Sequence, residues 1–179
     1  MDGKPISEYP LEKLRTTFAV VPQDHFVFNR TIRENLRIAQ PLANDKELDF
    51  ALANTSLITT EEKAAQMQLM AVSLSGGERQ LLALTGALLK DSGYWVFDEP
   101  TANLDTLTER RILNHIWNNV GSRTLILITH RLVDLEKMDQ IIVMNKGTIV
   151  ERGTHNELIA AGGFYASMVE LQNQMLQPL

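Results

Sequence analysis

Two adjacent carboxylates follow an apolar run, in a pattern that could hold a metal ion and activate a water molecule. Residues 94–97 read YWVF, Asp98 and Glu99 follow them, and Pro100 then turns the chain away. Because successive strand side chains point to opposite sides, the two carboxylates can do different work only if Glu99 lies in the turn. This arrangement would suit Asp98 as a Mg²⁺ ligand and Glu99 as the base that deprotonates an attacking water. An acidic loop that only closes a strand has the same sequence pattern.

A serine, two glycines and a glutamate precede the apolar stretch 81–89. Ser75 and Glu78 have the spacing of a capping box, which predicts that a helix begins after the serine. The free N–H groups at such a helix start, beside Gly76 and Gly77, could bind a phosphate. An ordinary capping box has the same sequence, so the pattern alone leaves both interpretations open.

Three further polar residues stand next to predicted strands or helices. Gln23 follows an apolar run, His130 comes at the end of another, and Asp105 precedes a helical pattern. Taken singly, His130 could be a structural histidine and Asp105 a helix cap.

Hydrophobic periodicity predicts the elements that position these residues. Apolar, β-branched runs predict buried strands at 17–21, 94–97 and 124–128. Helical patterns lie at 31–38, 45–70, 75–89 and 106–120. Since strands and helices alternate, we expect an α/β fold with a parallel sheet.

The last third of the chain predicts a hairpin and a closing helix. The turn sequence Asn145-Lys146-Gly147 separates the strand patterns 140–144 and 148–151. Thr154 and Glu157 have capping-box spacing, which predicts the start of the closing helix.

Composition excludes several classes of function. A chain of 179 residues, 44% of them hydrophobic, suits one globular domain with a core. The net charge of −5 gives no reason to expect nucleic acid as a partner. The absence of cysteine excludes disulfides, thiol catalysis and cysteine-rich zinc sites, and fits a reducing compartment. No apolar stretch approaches the ~20 residues that span a bilayer, so a membrane role would be indirect.

The order and spacing of these motifs resemble those of ABC transporter nucleotide-binding domains, from residue 2 to about residue 171. The resemblance is carried by Gln23, LSGGE at 74–78, FDEPTANLD at 97–105 and the Thr-His pair at 129–130. It implies an α/β fold with a P-loop NTPase-like parallel sheet core, incomplete at the N-terminus. Residues 31–90 would form a helical signature subdomain, and residues 1–30 and 91–179 the core and tail.

The resemblance also implies ATP and Mg²⁺ as cofactors and a role for each matched residue. Asp98 and Gln23 would hold Mg²⁺, Glu99 would activate water, and His130 would contact the γ-phosphate. The segment 74–78 would be the ABC signature, which binds the ATP of a second nucleotide-binding domain, here through Ser75, Gly76, Gly77 and Glu78. Asp105 would communicate across that dimer.

The C-terminal part resembles exporters. The segment 129–159 is similar to the heterodimeric thiol exporter family that serves cytochrome bd assembly, which implies export of cysteine or glutathione. The implied partners are a transporter membrane domain and a second nucleotide-binding domain, in a homodimer or heterodimer. The implied location is the cytoplasmic face of the inner membrane, reached through the membrane domain.

One motif of the family is absent from these residues. No GxxxxGK[ST] segment, whose N–H groups and lysine hold the phosphates, occurs in the 179 residues. We therefore expect an exposed sheet edge, uncovered apolar faces and weak or no ATP binding by this chain alone. Gly86, inside a predicted helix at a cost of up to ~1 kcal/mol, would fit a drifting sequence.

Three alternatives remain open beside an active exporter ATPase. The chain could be a non-catalytic ABC remnant, or a subunit that supplies only its signature to a partner. A non-transport ABC ATPase is the third, although the long coiled coils of that class would need a heptad run, which the sequence lacks.

Overall fold

The computed structural model describes residues 3–24, 26–55, 57 and 70–176. Contacts divide the chain into two compact units, Met1–Thr129 and His130–Leu179. Most of the second half of the helical segment predicted at 45–70 lies outside the described residues.

The described residues of the first unit contain a three-stranded parallel sheet with the order β1–β2–β3. The strands are β1 (Phe18–Val21), β2 (Tyr94–Asp98) and β3 (Thr124–Ile128). Val21 pairs with Phe97, and Asp98 pairs with Ile128. The predicted α/β class and its parallel sheet are therefore confirmed.

Helices connect and cover these strands. They are α1 (Leu11–Thr17), α2 (Ile32–Ala39), α3 (Asp45–Thr55), α4 (Gly76–Leu89) and α5 (Thr106–Val120). Short 3₁₀ turns lie at Ile6–Glu8 and Ala71–Ser73. α1 occurs where no helix is predicted, immediately before β1, with Pro10 at its N-cap position.

A hydrophobic cluster joins α2, α3 and α4. Its buried members are Ile32, Leu36, Ala43, Leu48, Leu52, Ala71, Leu74 and Leu82. Gly86 on α4 faces Ala39 at the end of α2, and a Cβ at Gly86 would lie 3.2 Å from the Ala39 Cβ. That spacing is tighter than a side chain normally accepts, so the glycine lets the two helices approach. Packing against Ala39 thus gives a structural reason for Gly86, which the sequence alone presents as a sign of drift.

The two faces of the sheet differ in burial. Ala19, Val21, Trp95 and Phe97 are at most 2% exposed and lie on the covered face. The opposite face carries Val20, Ile126 and Ile128, which are 56%, 47% and 49% exposed. Within the described part of the chain, this apolar face is open.

The second unit contains an antiparallel hairpin of β4 (Ile141–Asn145) and β5 (Thr148–Gly153). Lys146 and Gly147 both have positive φ, 48° and 77°, which is typical of a two-residue type I′ turn. The hairpin predicted around these residues is thus present.

Two helices follow the hairpin. The predicted closing helix is α6 (His155–Ala161), which ends at Gly162 with φ 65°. A further helix, α7 (Phe164–Leu176), begins beside Glu151, whose Oε2 accepts the Tyr165 N–H at 2.8 Å. No helix among the described residues is long and apolar enough to cross a membrane.

Candidate functional site

The loops after β1 and β2 carry the first predicted site residues. Gln23 is exposed two residues beyond Val21, and Asp98 is the last residue of β2. Because β1 and β2 are parallel neighbours, both loops leave the same edge of the sheet. His130 begins the second unit, two residues beyond the end of β3, and its position relative to Glu99 remains a prediction.

Glu99 adopts a backbone conformation that few residues other than glycine accept. Its φ is 51°, in the left-handed region, at a cost of about 1–3 kcal/mol. Its N–H donates to the Ile128 carbonyl oxygen at 2.9 Å, so the turn is tied to β3. Glu99 therefore lies in the turn rather than in the strand, and its direction is decoupled from that of Asp98.

The turn that follows is held by a buried side-chain pair and a helix cap. The Thr101 hydroxyl donates to Glu109 Oε1 at 2.8 Å, and both residues are buried. Asp105 Oδ1 accepts the N–H groups of Leu107 and Thr108, each at 3.0 Å. Hydrogen bonds from the Thr108 hydroxyl and N–H lower the pKa of Asp105, so this carboxylate is held in its charged form.

Ser75 and Glu78 form a complete capping box at the start of α4. Glu78 Oε2 accepts the Ser75 N–H at 2.8 Å, and Ser75 Oγ accepts the Glu78 N–H at 3.3 Å. Hydrogen bonds from the Ser75 side chain and backbone lower the pKa of Glu78. Glu78 thus has a capping function in this structure, and its place in nucleotide binding remains a prediction.

The start of α4 packs against the turn after β2. A Cβ at Gly77 would lie 3.4 Å from the Asn103 carbonyl oxygen. One helical turn later, the fully buried Gln80 donates from Nε2 to the Glu99 carbonyl oxygen at 2.9 Å. The Asn103 N–H donates to Gln80 Oε1 at 3.3 Å. The structure therefore packs α4, at Gly77 and Gln80, against the turn that contains Glu99.

Gln80, Thr101 and Glu109 are not among the predicted site residues. The available sequence signal is a glutamine three positions after Gly77, hence on the same face of α4. Their partners are 8 to 23 positions away, so a local pattern does not reveal the contacts.

The donor set fits Mg²⁺ that arrives with a nucleotide. Among residues 3–24, 26–55, 57 and 70–176, no group of three or more His, Cys, Asp or Glu side chains could hold a metal ion. Mg²⁺ commonly binds through one or two carboxylates together with substrate phosphates and water. Asp98, half-buried at the end of β2, is a single carboxylate of that kind.

Comparison with known proteins gives consistent matches. A family model described as ABC transporter matches residues 1–102. The ATP-dependent lipid A-core flippase of Neisseria meningitidis is 37% identical over 179 residues, which cover 97% of this chain and 29% of that protein. The ABC transporter ATP-binding protein YknV of Bacillus subtilis is 37% identical over 177 residues, which cover 96% of this chain and 29% of that protein.

A solved structure gives the same assignment. The structure of a bacterial Atm1-family ABC exporter with ATP bound matches this chain with a TM-score of 0.86 and 33% identity. The match covers 96% of this chain and 31% of that one. The chain thus spans less than a third of the length of these relatives.

Proposed function

Because this chain belongs to the ABC transporter family, we propose that it is the part of an exporter's nucleotide-binding domain that activates water for ATP hydrolysis. The observation that carries the proposal is the position of Glu99. A strained left-handed residue directly after a strand-end carboxylate is the kind of backbone strain that clusters at functional sites.

The proposed chemistry is attack of water on the γ-phosphate of ATP. Glu99 accepts the proton of the attacking water, which lies in line with the bond that breaks between the γ-phosphorus and the β,γ-bridging oxygen. Asp98 and the amide oxygen of Gln23 would hold Mg²⁺, which supplies charge neutralisation on the phosphates when bound. His130 would donate a hydrogen bond to the γ-phosphate.

The start of α4 is proposed to bind the ATP of a second nucleotide-binding domain. Ser75 and Gly76 are exposed, and the first turn of a 14-residue helix offers N–H groups without intrahelical partners. The positive end of the helix dipole adds a favourable field for phosphate. Asp105, exposed at the start of α5, would contact the partner domain.

A membrane domain is the second proposed partner. Phe26 and Phe28, three and five residues after Gln23, are 76% and 45% exposed and pack edge to face with a centroid distance of 5.0 Å. They line a cleft of about 320 Å³ beside Ile38 of α2. Exposed aromatic side chains at a cleft are typical of contact surfaces. Docking there would place the chain at the cytoplasmic face of the inner membrane.

We also propose a helical subdomain at 31–90 between core segments 1–30 and 91–179. The hydrophobic cluster that joins α2, α3 and α4 supports this division.

For the exported solute we propose a thiol, cysteine or glutathione. The support is the similarity of residues 129–159 to thiol exporters. ATP-dependent uptake of radiolabelled cysteine or glutathione into inverted membrane vesicles tests this point. Uptake equal to that of vesicles without the protein would refute thiol export while leaving ATP hydrolysis untouched.

Two substitutions distinguish a chain that hydrolyses ATP from a chain that only supplies its signature to a partner's ATP site. The measurement is the ATPase rate of the native assembly, meaning the protein together with the chains with which it assembles in membranes. We expect Glu99→Gln to reduce the rate at least about 100-fold while nucleotide binding persists, because the general base is lost. Ser75→Arg should lower the rate by obstructing the partner's ATP.

Three patterns of ATPase results distinguish the candidate roles. Loss with both variants supports hydrolysis at Glu99 and binding at Ser75. Loss with Ser75→Arg alone means that the chain supplies only its signature. No loss with either variant identifies a non-catalytic remnant. The 179 residues contain no GxxxxGK[ST] segment, so we expect weak or no ATP binding by the chain in isolation.

A further inference from the structure

Gln80 is a fully buried polar side chain on the apolar side of α4. It is 0% exposed, and the neighbouring Leu81, Leu82 and Leu84 are also buried. A buried amide without partners would destabilise the fold, because it loses its hydrogen bonds to water without replacing them. Both ends of Gln80 are instead satisfied, and both partners lie in the turn after β2.

Those partners are main-chain groups. Nε2 donates to the Glu99 carbonyl oxygen at 2.9 Å, and Oε1 accepts the Asn103 N–H at 3.3 Å. The Glu99 carbonyl oxygen also accepts the Ala102 N–H at 3.3 Å. With the Glu99 N–H bonded to Ile128, the backbone of this strained residue is fixed on both sides.

Hydrogen bonds to the backbone determine where the Glu99 side chain begins and in which direction it leaves the turn. A left-handed glutamate persists only if surrounding contacts over-determine it. The contact from β3 fixes one side of Glu99, while Gln80 is the side chain from α4 that fixes the other.

We infer that Gln80 is a positioning residue for ATP hydrolysis, which holds the Glu99 backbone and the Asn103 backbone in the geometry that water activation needs. The inference rests on the proposed function. A displaced general base loses rate even when the substrate still binds, because misplacement of about 1 Å can cost 10²-fold. Gln80 therefore acts on the chemical step more than on affinity for ATP.

Thr85 provides a matched control on the same helix. It is also 0% exposed, and its hydroxyl donates to the Leu81 carbonyl oxygen and pairs with the Thr55 hydroxyl at 2.7 Å. Thr85→Val removes buried hydrogen bonds of α4 that do not involve the turn after β2. Gln80→Met removes the two bonds to that turn and keeps the side-chain length.

The test measures kcat and KM for ATP in the native assembly. Gln80→Met should lower kcat at least about tenfold with KM within about threefold of wild type. Thr85→Val should lower the unfolding temperature to a similar extent but leave kcat within about twofold of wild type. If Gln80→Met does not assemble, Gln80→Glu replaces it, since it keeps the shape and the acceptor for Asn103 but loses the amide donor to Glu99.

Two results would overturn the inference. Either Gln80 variant with kcat within about twofold of wild type would mean that the contact does not position Glu99. Equal losses of kcat in Gln80→Met and Thr85→Val would assign the effect to general stability. If the wild-type assembly hydrolyses ATP and Glu99→Gln abolishes this activity, the proposed function stands even when the inference about Gln80 fails. A wild-type assembly that does not hydrolyse ATP would refute both proposals.

Discussion

The helices α4 and α6 begin with the same capping chemistry but have different surroundings. In each, a glutamate Oε2 accepts the N-cap N–H at 2.8 Å, and the N-cap hydroxyl accepts the glutamate N–H at 3.3 Å. Beyond the cap, α4 continues with Gly77 against the Asn103 backbone, whereas α6 continues with the exposed Asn156. A capping box therefore specifies a helix start, and the residues behind it decide whether that start belongs to a site.

An exchange of the second helical residue tests this difference most directly. Gly77→Asn introduces the α6 residue into α4, where a side chain meets the Asn103 carbonyl oxygen and Leu104. A Cβ at position 77 would already touch the turn that carries Glu99, and the rest of the Asn side chain needs further room there. We therefore expect the ATPase rate of the native assembly to fall at least about tenfold. The reverse change, Asn156→Gly, should leave the rate within about twofold and cost at most ~1 kcal/mol. Equal activity of the two variants would remove the distinction between the helix starts.

Removal of the two N-cap hydroxyls gives a smaller effect. Ser75→Ala and Thr154→Ala should each reduce the free energy of unfolding by about 1 kcal/mol, because each loses the same cap bond. Only Ser75→Ala should lower the ATPase rate, by a few-fold, because Ser75 lies at the helix start where we propose that phosphate binds. Urea unfolding and steady-state ATPase assays measure the two quantities. A similar drop in rate for Thr154→Ala would show that the loss reflects stability.

The smallest expected effect is on the stability at acidic pH, to which the two capping boxes should contribute alike. Hydrogen bonds from Ser75 and from Thr154 lower the pKa values of Glu78 and Glu157. A glutamate whose pKa is lower in the folded state stabilises the fold at pH values above its pKa in the unfolded state. This stabilisation is lost as the pH falls below about 4 and through the pKa of the folded state. Glu78→Gln and Glu157→Gln keep an acceptor and should each weaken the acid-induced loss. The midpoints of urea unfolding between about pH 3 and 7 measure this loss of stability. If both variants keep the pH profile of the wild type, the shared capping role is contradicted.

Local sequence was sufficient for the elements whose determinants lie close along the chain. The capping boxes at Ser75 and Thr154 depend on residues three positions apart, and both are present. Side-chain alternation along a strand requires that Glu99 lie outside the strand if it is to act separately from Asp98. The φ of 51° at Glu99 agrees with this requirement. The type I′ hairpin turn likewise depends on two adjacent residues.

Features set by distant contacts could not be read in this way. Gly86 is explained by Ala39, which is 47 positions away, and α7 starts at a carboxylate of β5 rather than at a cap of its own. The position of Gln80 three residues after Gly77 places it on the same face of α4, but this spacing does not say what the side chain contacts. Only the three-dimensional placement of the β2 turn reveals its partners.

The contacts of Gln80 with main-chain atoms also affect which positions are open to redesign. The side chains of Ala102 and Asn103 can be replaced without removing a Gln80 partner, because every non-proline residue keeps the same N–H and carbonyl groups. At position 80 itself, a replacement must place a donor next to the Glu99 carbonyl oxygen and an acceptor next to the Asn103 N–H, as the glutamine does. A library that recodes this region would therefore be expected to vary at positions 102 and 103 and to retain glutamine at position 80.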